Sequence, residues 1–218
     1  MHLARHDIHL WLSPQRAHST HDFIQQVLAH YLPPQPRACI QLKRNPSGKP
    51  QLKDLRFREL QFNASHTKNL MVCAVAQGMA LGVDVEFLPR KNRLKEIAER
   101  YFHPDEISHL DALRDVTQQR LAFFELWTCK EAYIKALGKT LGQVSLDTIP
   151  FIPGIHGLAP QFALPAQQHW HFHTQTWGDH IISLALCSRT WQATTKPAIS
   201  IFVRSASGFH GNLATLVR

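Results

Sequence analysis

The sequence predicts an α+β fold made of two similar halves, and a repeated order of elements supports this prediction. Apolar residues at helical spacing mark a helix at residues 22–31, and strand-like segments ending in residues 70–76 follow it. The same order returns later, where a long helix at 117–137 precedes strand-like segments ending in 181–187. Each of the two final strands follows a short polar turn. The repetition indicates two α+β halves packed side by side with pseudo-twofold symmetry.

The other elements follow from apolar periodicity and from the positions of turn residues. In the first half, apolar runs and alternation predict strands at residues 6–12, 39–42, 60–65 and 70–76. In the second half, they predict a strand at 81–87, helices at 94–102, 103–113 and 117–137, and strands at 162–164, 170–176 and 181–187. A further strand at a sheet edge is predicted at 198–204. We place the boundary between the halves after residue 80, which gives the segments 1–80 and 81–218.

Length and composition are those of a globular protein with a sizeable core. The chain has 218 residues, of which 44% are hydrophobic, enough for one large domain or two small ones. No apolar run approaches the ~20 residues that span a bilayer, and the N-terminus does not resemble a signal peptide. The four cysteines are widely spaced, lack a zinc-binding pattern and are expected to be reduced core residues. We therefore expect a cytoplasmic protein.

The chain is basic, with a formal net charge of +8. Such a charge favours an acidic partner, which could be nucleic acid, a nucleotide-like cofactor, a membrane surface or an acidic protein. The alternative is that the charge only maintains solubility. Basic residues crowd one turn-rich segment and meet few acids there: Arg37, Lys43, Arg44, Lys49, Lys53, Arg56 and Arg58.

Two groups of charged residues interrupt the apolar pattern of the second half. In a strand at 81–87, Asp84 and Glu86 point to the same face, about 7 Å apart. On the helix at 117–137, Glu131 and Lys135 lie four residues apart and share a face. Each pair alone is typical of a solvated surface. Together, three carboxylates can form an oxygen-rich site for Mg²⁺, with the lysine placed to hold a phosphate.

Four short motifs in a fixed order resemble those of one enzyme family. Gly82–Glu86 is followed at the right distance by Trp127–Lys135, and the two resemble the signature motifs of 4′-phosphopantetheinyl transferases of the Sfp type. Upstream, Gly48–Pro50 resembles the family's basic loop, and Phe62–Thr67 resembles its Asn-x-Ser-His motif. The resemblance covers residues 47–142 well. It implies the two-halved fold predicted above, with the active site at the interface of the halves.

The resemblance also implies an enzyme, a 4′-phosphopantetheinyl transferase or holo-[acyl-carrier-protein] synthase. Such an enzyme moves the 4′-phosphopantetheine arm of coenzyme A to a serine of an apo acyl, peptidyl or polyketide carrier protein, and releases adenosine 3′,5′-bisphosphate. Carried over by motif, Asp84, Glu86 and Glu131 would hold Mg²⁺ on the pyrophosphate. Glu131 is also the expected base for the incoming serine, and Lys135 would contact the α-phosphate.

The family's contacts to coenzyme A, its co-substrate, can be carried over in the same way. Lys49, Ser65 and His66 would hold its phosphates, the 3′-phosphate in particular, together with Lys135. The expected catalytic set is then Glu131 with Lys135 and His66. On this assignment the first half supplies the phosphate contacts, and the second half supplies the metal-binding acids.

One departure from the family pattern concerns the N-terminal segment. Larger members carry a longer segment there, with basic residues that help to bind the 3′-phosphate. In this chain the comparable place offers Arg16 and His18 as substitutes. The contacts to the adenylate end of coenzyme A are therefore the part of the site that the motifs define least.

The predicted partners follow from charge and family. Acidic carrier proteins suit a basic chain, and we expect the helices between residues 94 and 113 to form part of their docking surface. We expect a monomer with no nucleic acid or membrane partner, because two fused halves supply the interface that smaller relatives make by oligomerising. Two alternatives stay open: a non-catalytic relative that binds coenzyme A or a carrier protein, and a Mg²⁺-dependent nuclease. The nuclease is disfavoured because Phe87, Leu88 and Pro89 follow Glu86, where restriction-type enzymes need a lysine.

Overall fold

Two β-sheets share one apolar core, and a helix covers the outer face of each sheet. The computed structural model describes residues 1–4, 6–14, 19–90, 93–154, 157–160, 169–188, 197–205 and 208–211. The described helices are α1 (Thr20–Leu28), α2 (Leu94–Tyr101), α3 (Pro104–Ala112) and α4 (Val116–Leu137). The described strands are β1 (Asp7–Ser13), β2 (Leu42–Arg44), β3 (Pro50–Leu52), β4 (Leu60–Thr67), β5 (Leu70–Gln77), β6 (Ala80–Phe87), β7 (Phe151–Gly154), β8 (Gly157–Pro160), β9 (His169–Trp177), β10 (His180–Ser188), β11 (Ala198–Ser205) and β12 (Gly208–Gly211). This is the α+β class that the sequence predicted.

The strands pair into two main sheets. The first has the order β12-β11-β1-β5-β4, and the second has the order β6-β10-β9. Strands β2 and β3 form a small separate hairpin, as do β7 and β8. In the first sheet β1 runs parallel to β11, whereas its other neighbour β5 is antiparallel. Strands β4 and β6 each lie at an edge of their own sheet.

Alternating side chains of the strands divide the interior into layers. Ile8, Leu10 and Leu12 of β1 face a core that also takes residues from β5, β6, β10 and β11. The intervening residues of β1 and β5, such as Trp11 and Cys73, pack instead with α1. Strand β5 is therefore buried on both faces, which explains its continuous apolar sequence. Helix α4 covers the second sheet in the same way.

The two hairpins that close the halves match each other. Strands β4 and β5 pair from Thr67–Leu70 outward, and β9 and β10 pair from Trp177–His180 outward. Each turn contains a residue with a left-handed backbone, Asn69 at φ 60° and Gly178 at φ 55°. Both residue types tolerate this conformation better than most others. The predicted similarity of the two halves agrees with this arrangement.

Some predicted elements differ from the structure. The segment 198–204 is not an edge strand, because β11 lies between β1 and β12 inside the first sheet. This strand returns late residues to the sheet of the first half, so the sheets do not divide the chain into two continuous segments. Residues 39–41 are not a strand, since Cys39 and Ile40 donate backbone hydrogen bonds to the turn that precedes them, and β2 begins only at Leu42. The strand predicted at 162–164 lies outside the described residues.

The long helix α4 has clear boundaries. Asp115 caps its N-terminus by accepting a hydrogen bond from Gln118 N. At the C-terminus, Gly138 adopts φ 65°, and Lys139 N donates to Ile134 O, the bond pattern of a Schellman motif. In the part of the chain that the structure describes, no helix is long and apolar enough to cross a membrane.

The predicted burial of the cysteines holds for two of the four. Cys73 and Cys129 are buried, Cys187 is half-buried and Cys39 is exposed. All four are free thiols. Cys39 is exposed because it lies in the short helical turn at Arg37–Cys39, which has no buried residues.

Candidate active site

The candidate site lies where edge strands β4 and β6 meet. The exposed edge of β6 would leave backbone groups without partners, and side chains of the first half fill this need. Asn63 Oδ1 of β4 accepts a hydrogen bond from Val83 N at 2.9 Å. Lys49 Nζ donates to Leu81 O at 2.8 Å. Polar side chains therefore join the two halves along the contact between β4 and β6, which we call the seam.

Helix α4 approaches β6 closely because residue 82 is glycine. A Cβ atom at Gly82 would lie only 2.0 Å from Ala132 O and 2.5 Å from Ala136 N. Any side chain at this position would push the helix away from the strand. The glycine of the Gly82–Glu86 motif thus allows the contact that sets Glu131 and Lys135 over the acids of β6.

Three side chains converge from three elements at the centre of the seam. Asp84 Oδ1 accepts hydrogen bonds from Lys135 Nζ at 2.6 Å and from Ser65 Oγ at 2.8 Å. Lys135 Nζ also lies 3.0 Å from Ser65 Oγ. Asp84 is only 5% exposed, and its Oδ2 is buried without a hydrogen-bond partner. A buried carboxylate oxygen that lacks a donor is costly, so it marks a position where a cation or donor is needed.

Glu86 and Glu131 lie close enough to Asp84 to interact with it electrostatically. Burial raises the pKa of Glu131 to about 7; the negative charges of Asp84 and Glu86 act in the same direction, and Lys135 opposes them. Burial and the charge of Asp84 also raise the pKa of Glu86, whereas Arg90 and the nearby Trp127 indole lower it. Glu131 is half-buried.

The donor set suits a hard divalent cation such as Mg²⁺, because carboxylate oxygens are the ligands that such ions prefer. The unpartnered Asp84 Oδ2 supports the same fit. As the side chains stand, however, no three or more His, Cys, Asp and Glu of the described residues are grouped so that they could hold a metal ion. Lys135 engages Asp84, and Arg90 engages Glu86 at 3.2 Å.

The basic loop that contains Lys49 connects the first half to the end of α4. Lys49 Nζ donates to Lys135 O at 2.8 Å in addition to Leu81 O, and Asn45 Nδ2 donates to Gly138 O at 3.2 Å. The Lys135 and Gly138 carbonyls belong to the last turn of the helix and its cap, where Lys135 O also accepts from Gly138 N. Burial lowers the pKa of Lys49 to about 8. Lys49 therefore holds the seam together in this structure.

His66 lies on the opposite face of β4 from Ser65. Neighbouring strand residues alternate between faces, so Ser65 faces β6 while His66 faces α1. His66 is exposed, and its Nδ1 lies 3.4 Å from Thr20 Oγ1 at the start of that helix. Of the predicted site residues, the structure brings together Ser65, Asp84, Glu86, Glu131 and Lys135. It places His66 on the opposite face of β4, away from these five. Arg16 and His18 lie outside the described residues.

The sequence analysis did not identify a buried ion pair behind the site, which joins Lys130 and Glu106. Lys130 Nζ lies 2.9 Å from Glu106 Oε2, and their side chains are 0% and 2% exposed. The ammonium also donates to Leu146 O and Ile149 O. The carboxylate accepts from the backbone N–H groups of His103 and Phe151. Every charge in this pair is thus paired or hydrogen-bonded.

The signal for this pair was present in the sequence. Lys130 falls on one helical stripe with Phe123, Leu126 and Tyr133, all of which are buried. A lysine on a buried stripe needs an acidic partner. That partner was identifiable only in type, because Glu106 is far away in the sequence and reaches Lys130 through tertiary packing.

Comparison with known proteins agrees with the motifs. Residues 80–185 match the sequence model of the 4′-phosphopantetheinyl transferase superfamily. The chain is 37% identical to the 4′-phosphopantetheinyl transferase HetI of Nostoc sp. over 146 residues, which cover 65% of this chain and 60% of HetI. It is 36% identical to the 4′-phosphopantetheinyl transferase Sfp of Bacillus subtilis over 105 residues, which cover 48% of this chain and 44% of Sfp. Residues 80–185 are thus similar to this superfamily, which confirms the resemblance that the motifs predicted.

The alignments cover only part of each relative. A third relative, a putative 4′-phosphopantetheinyl transferase of Synechocystis sp., is 32% identical over 62% of this chain and 54% of its own length. The chain thus spans less than two thirds of the length of each of these relatives. Among solved structures, a holo-(acyl-carrier-protein) synthase from Bacillus anthracis in complex with CoA (3′,5′-ADP) is similar with a TM-score of 0.43 and 20% identity, covering 50% of this chain and 96% of that one.

Proposed function

We propose that the protein transfers the 4′-phosphopantetheine arm of coenzyme A to a serine of an apo carrier protein in a Mg²⁺-dependent reaction. The observation that carries this proposal is the convergence of Ser65, Asp84 and Lys135 from β4, β6 and α4. These residues belong to three separate motifs of the superfamily, and only the tertiary fold brings them together. A chance resemblance of short motifs would not require this convergence.

Asp84, Glu86 and Glu131 are the residues that would hold the metal. The buried, unpartnered Oδ2 of Asp84 and the mutual repulsion of the three carboxylates support this assignment, because a cation satisfies the first and relieves the second. When bound, Mg²⁺ would neutralise the negative charge of the pyrophosphate group. Phosphoryl transfer depends mainly on such neutralisation and on positioning.

The remaining residues bind and orient coenzyme A. Lys135 is proposed to contact the α-phosphate, and its position beside Ser65 supports joint recognition of a phosphate by the two groups. His66 is proposed to reach the 3′-phosphate beside the first turn of α1, where Thr20 is its neighbour. Lys49 already donates to two carbonyls, so we propose that it supports the site through the position of α4 as well as through its charge.

The proposed reaction proceeds by displacement at phosphorus. The serine Oγ of the carrier forms a bond to the phosphorus that carries the pantetheine arm. The bond from this phosphorus to the bridging oxygen of the pyrophosphate breaks, and adenosine 3′,5′-bisphosphate leaves with that oxygen. Glu131 is proposed to accept the serine proton, directly or through a water molecule.

The proposed partner is an acidic carrier protein, which suits the net charge of +8. Exposed basic residues on and around α2, including Arg90, Arg93 and Lys95, support its docking near the helices between residues 94 and 113. A monomer located in the cytoplasm remains our expectation. Light scattering after size-exclusion chromatography tests the oligomeric part of it.

Intact-mass measurement tests the proposed function. The protein is mixed with coenzyme A, Mg²⁺ and a panel of apo carrier proteins, and a gain of one phosphopantetheine arm on a carrier is expected. The gain should disappear with EDTA and in Glu131→Ala. No gain on any carrier, combined with a rise in melting temperature on adding coenzyme A, would favour the non-catalytic binding relative. No gain and no thermal shift would contradict the proposal and return the nuclease to consideration.

A further inference from the structure

Both acids of β6 are engaged by cations of the protein itself. Asp84 is paired with Lys135, which has a proposed role in binding coenzyme A. Glu86 is paired with Arg90, which has so far been given a role only in docking the carrier protein. The Arg90 guanidinium lies 3.2 Å from Glu86 Oε2 and 3.4 Å from Oε1. It therefore occupies the same carboxylate oxygens that a metal ion would need.

The backbone of Arg90 is fixed close to the site. Its N–H donates to Phe87 O in the turn that ends β6. From α4, the Arg120 guanidinium donates to the carbonyl oxygens of Leu88 and Arg90, which ties this turn to the helix. The Arg90 side chain remains 57% exposed, whereas that of Glu86 is only 13% exposed. Arg90 thus lies over a nearly buried carboxylate and can move away from it into solvent.

Glu86 has a second partner that does not depend on Arg90. The Trp127 indole of α4 approaches the same carboxylate and lowers its pKa. Trp127 itself packs against the core that α4 forms with the second sheet. Loss of the arginine would free the Glu86 oxygens from the guanidinium, while strand β6 keeps this residue on the same face as Asp84.

We propose that Arg90 competes with the divalent cation for Glu86 and thereby weakens metal binding at this site. The inference rests on the metal-binding set assigned above. A guanidinium and a metal ion both require the carboxylate lone pairs, so one must leave before the other binds fully. Among the described residues, no three acids are close enough together to hold a metal ion while Arg90 and Lys135 occupy them, which agrees with this competition.

The expected size of the effect follows from the exposure of the pair. An ion pair with one mostly exposed partner, here Arg90, is weak, and breaking it corresponds to about a two- to fivefold change in an equilibrium constant. Arg90→Gln should therefore bind the metal about two- to fivefold more tightly than the natural protein. We do not expect a larger gain in metal affinity on removing Arg90, because its guanidinium remains hydrated while it is paired with Glu86.

A matched control separates competition from the general loss of a positive charge. Arg93 lies three residues further along, is 83% exposed and pairs with Glu96 rather than with a site acid. Arg93→Gln removes the same charge from the same segment without freeing Glu86. The affinity of each protein for Mn²⁺ is measured by electron paramagnetic resonance, in the absence of coenzyme A and carrier, and melting temperatures verify that each variant is folded.

The result that supports the inference is tighter Mn²⁺ binding in Arg90→Gln than in both the natural protein and Arg93→Gln. Equal affinities in the two variants, or weaker binding in Arg90→Gln, would overturn it. Glu86→Gln makes a failure of the metal site itself recognisable. If this variant binds Mn²⁺ as well as the natural protein, the assigned metal set is wrong, and the inference about Arg90 falls with it.

Discussion

Asp84 is the residue that connects the other side chains of the candidate site. It accepts hydrogen bonds from Lys135 and Ser65 through one oxygen and keeps the other buried without a partner. Asp84→Asn would remove the negative charge that pairs with Lys135, and with it an oxygen ligand of the proposed metal. We expect transfer activity to fall by at least about 100-fold. Ser65→Ala should lose at least about tenfold, because it removes the hydrogen bond that the hydroxyl donates to the Asp84 carboxylate.

The measurement is the initial rate of phosphopantetheine transfer under saturating coenzyme A. Asp179→Asn, at an exposed position in the turn between β9 and β10, is the matched control and should be neutral. Activity of Asp84→Asn near that of the control would show that this carboxylate is not part of the site.

Lys49 leads to a prediction about pH. Burial lowers its pKa from 10.5 to about 8 in the folded chain, whereas the unfolded chain keeps the ordinary value. Between these two pH values the Lys49 amine is protonated in the unfolded chain and largely neutral in the folded chain. Raising the pH therefore destabilises the unfolded state relative to the folded state. The natural protein should therefore gain stability relative to Lys49→Met between pH 8 and pH 10.

Urea unfolding of both proteins at pH 7, 8, 9 and 10 measures this difference. Lys139→Met removes an exposed lysine near the same helix end and should show a difference that is constant with pH. A constant difference for Lys49→Met as well would mean that the folded chain does not depress the pKa of this amine.

At the scale of elements, the position of α4 is set by contacts on its two sides. On one side, Gly82 allows the helix backbone to touch β6. On the other side, the Glu106–Lys130 pair ties the helix to α3 and to the residues before β7. Both contacts lie within one turn of Glu131, so both determine where this carboxylate lies.

Gly82→Ala should disturb the site without touching a charged residue. The added methyl group would overlap Ala132 O, and we expect a loss of about 1–3 kcal/mol in the free energy of unfolding. A shift of α4 by about 1 Å would cost about 100-fold in transfer rate. Gly142→Ala is the control, because a Cβ atom there meets nothing within 4 Å. A stable, fully active Gly82→Ala protein would contradict the role assigned to this contact.

The buried pair makes a different prediction, measured by chemical denaturation in a double-mutant cycle. Lys130→Met leaves the Glu106 carboxylate buried without its counter-charge and should cost about 3–5 kcal/mol. Adding Glu106→Gln should recover much of this loss, because a neutral pair carries no desolvated charge. Lys95→Met, which breaks only the exposed pair with Glu99, should cost less than about 1 kcal/mol. Additive losses in the double variant would contradict the pairing.

For the whole molecule, the shared core predicts that the two halves unfold together. Ile201 of β11 is 1% exposed and packs with residues of both sheets. Ile201→Ala should cost about 2–5 kcal/mol and shift the unfolding curves from circular dichroism and tryptophan fluorescence by the same amount. Val116→Ala, at a position 77% exposed, should leave both curves unchanged. Two separate transitions would show that the halves are independent units.

Local patterns in the sequence determined most elements of the fold and the identity of the acidic residues. The apolar run of β5, the alternation around Asp84 and Glu86, and the stop of α4 at Gly138 could be predicted because each depends on neighbours within a few residues. The motifs also predicted Ser65 and Lys135 as site residues. Their convergence on Asp84 could only be inferred from the family resemblance.

Tertiary structure decided the features that depend on residues distant in the chain. The position of β11 inside the first sheet depends on pairing with β1, which is nearly the whole chain away. The partner of Lys130, the carbonyl contacts of Lys49 and the opposite facing of Ser65 and His66 likewise depend on how elements pack. Sequence periodicity specifies which face of an element is buried, but it does not specify which distant residues pack against that face. The chemistry of this site depends on those long-range contacts.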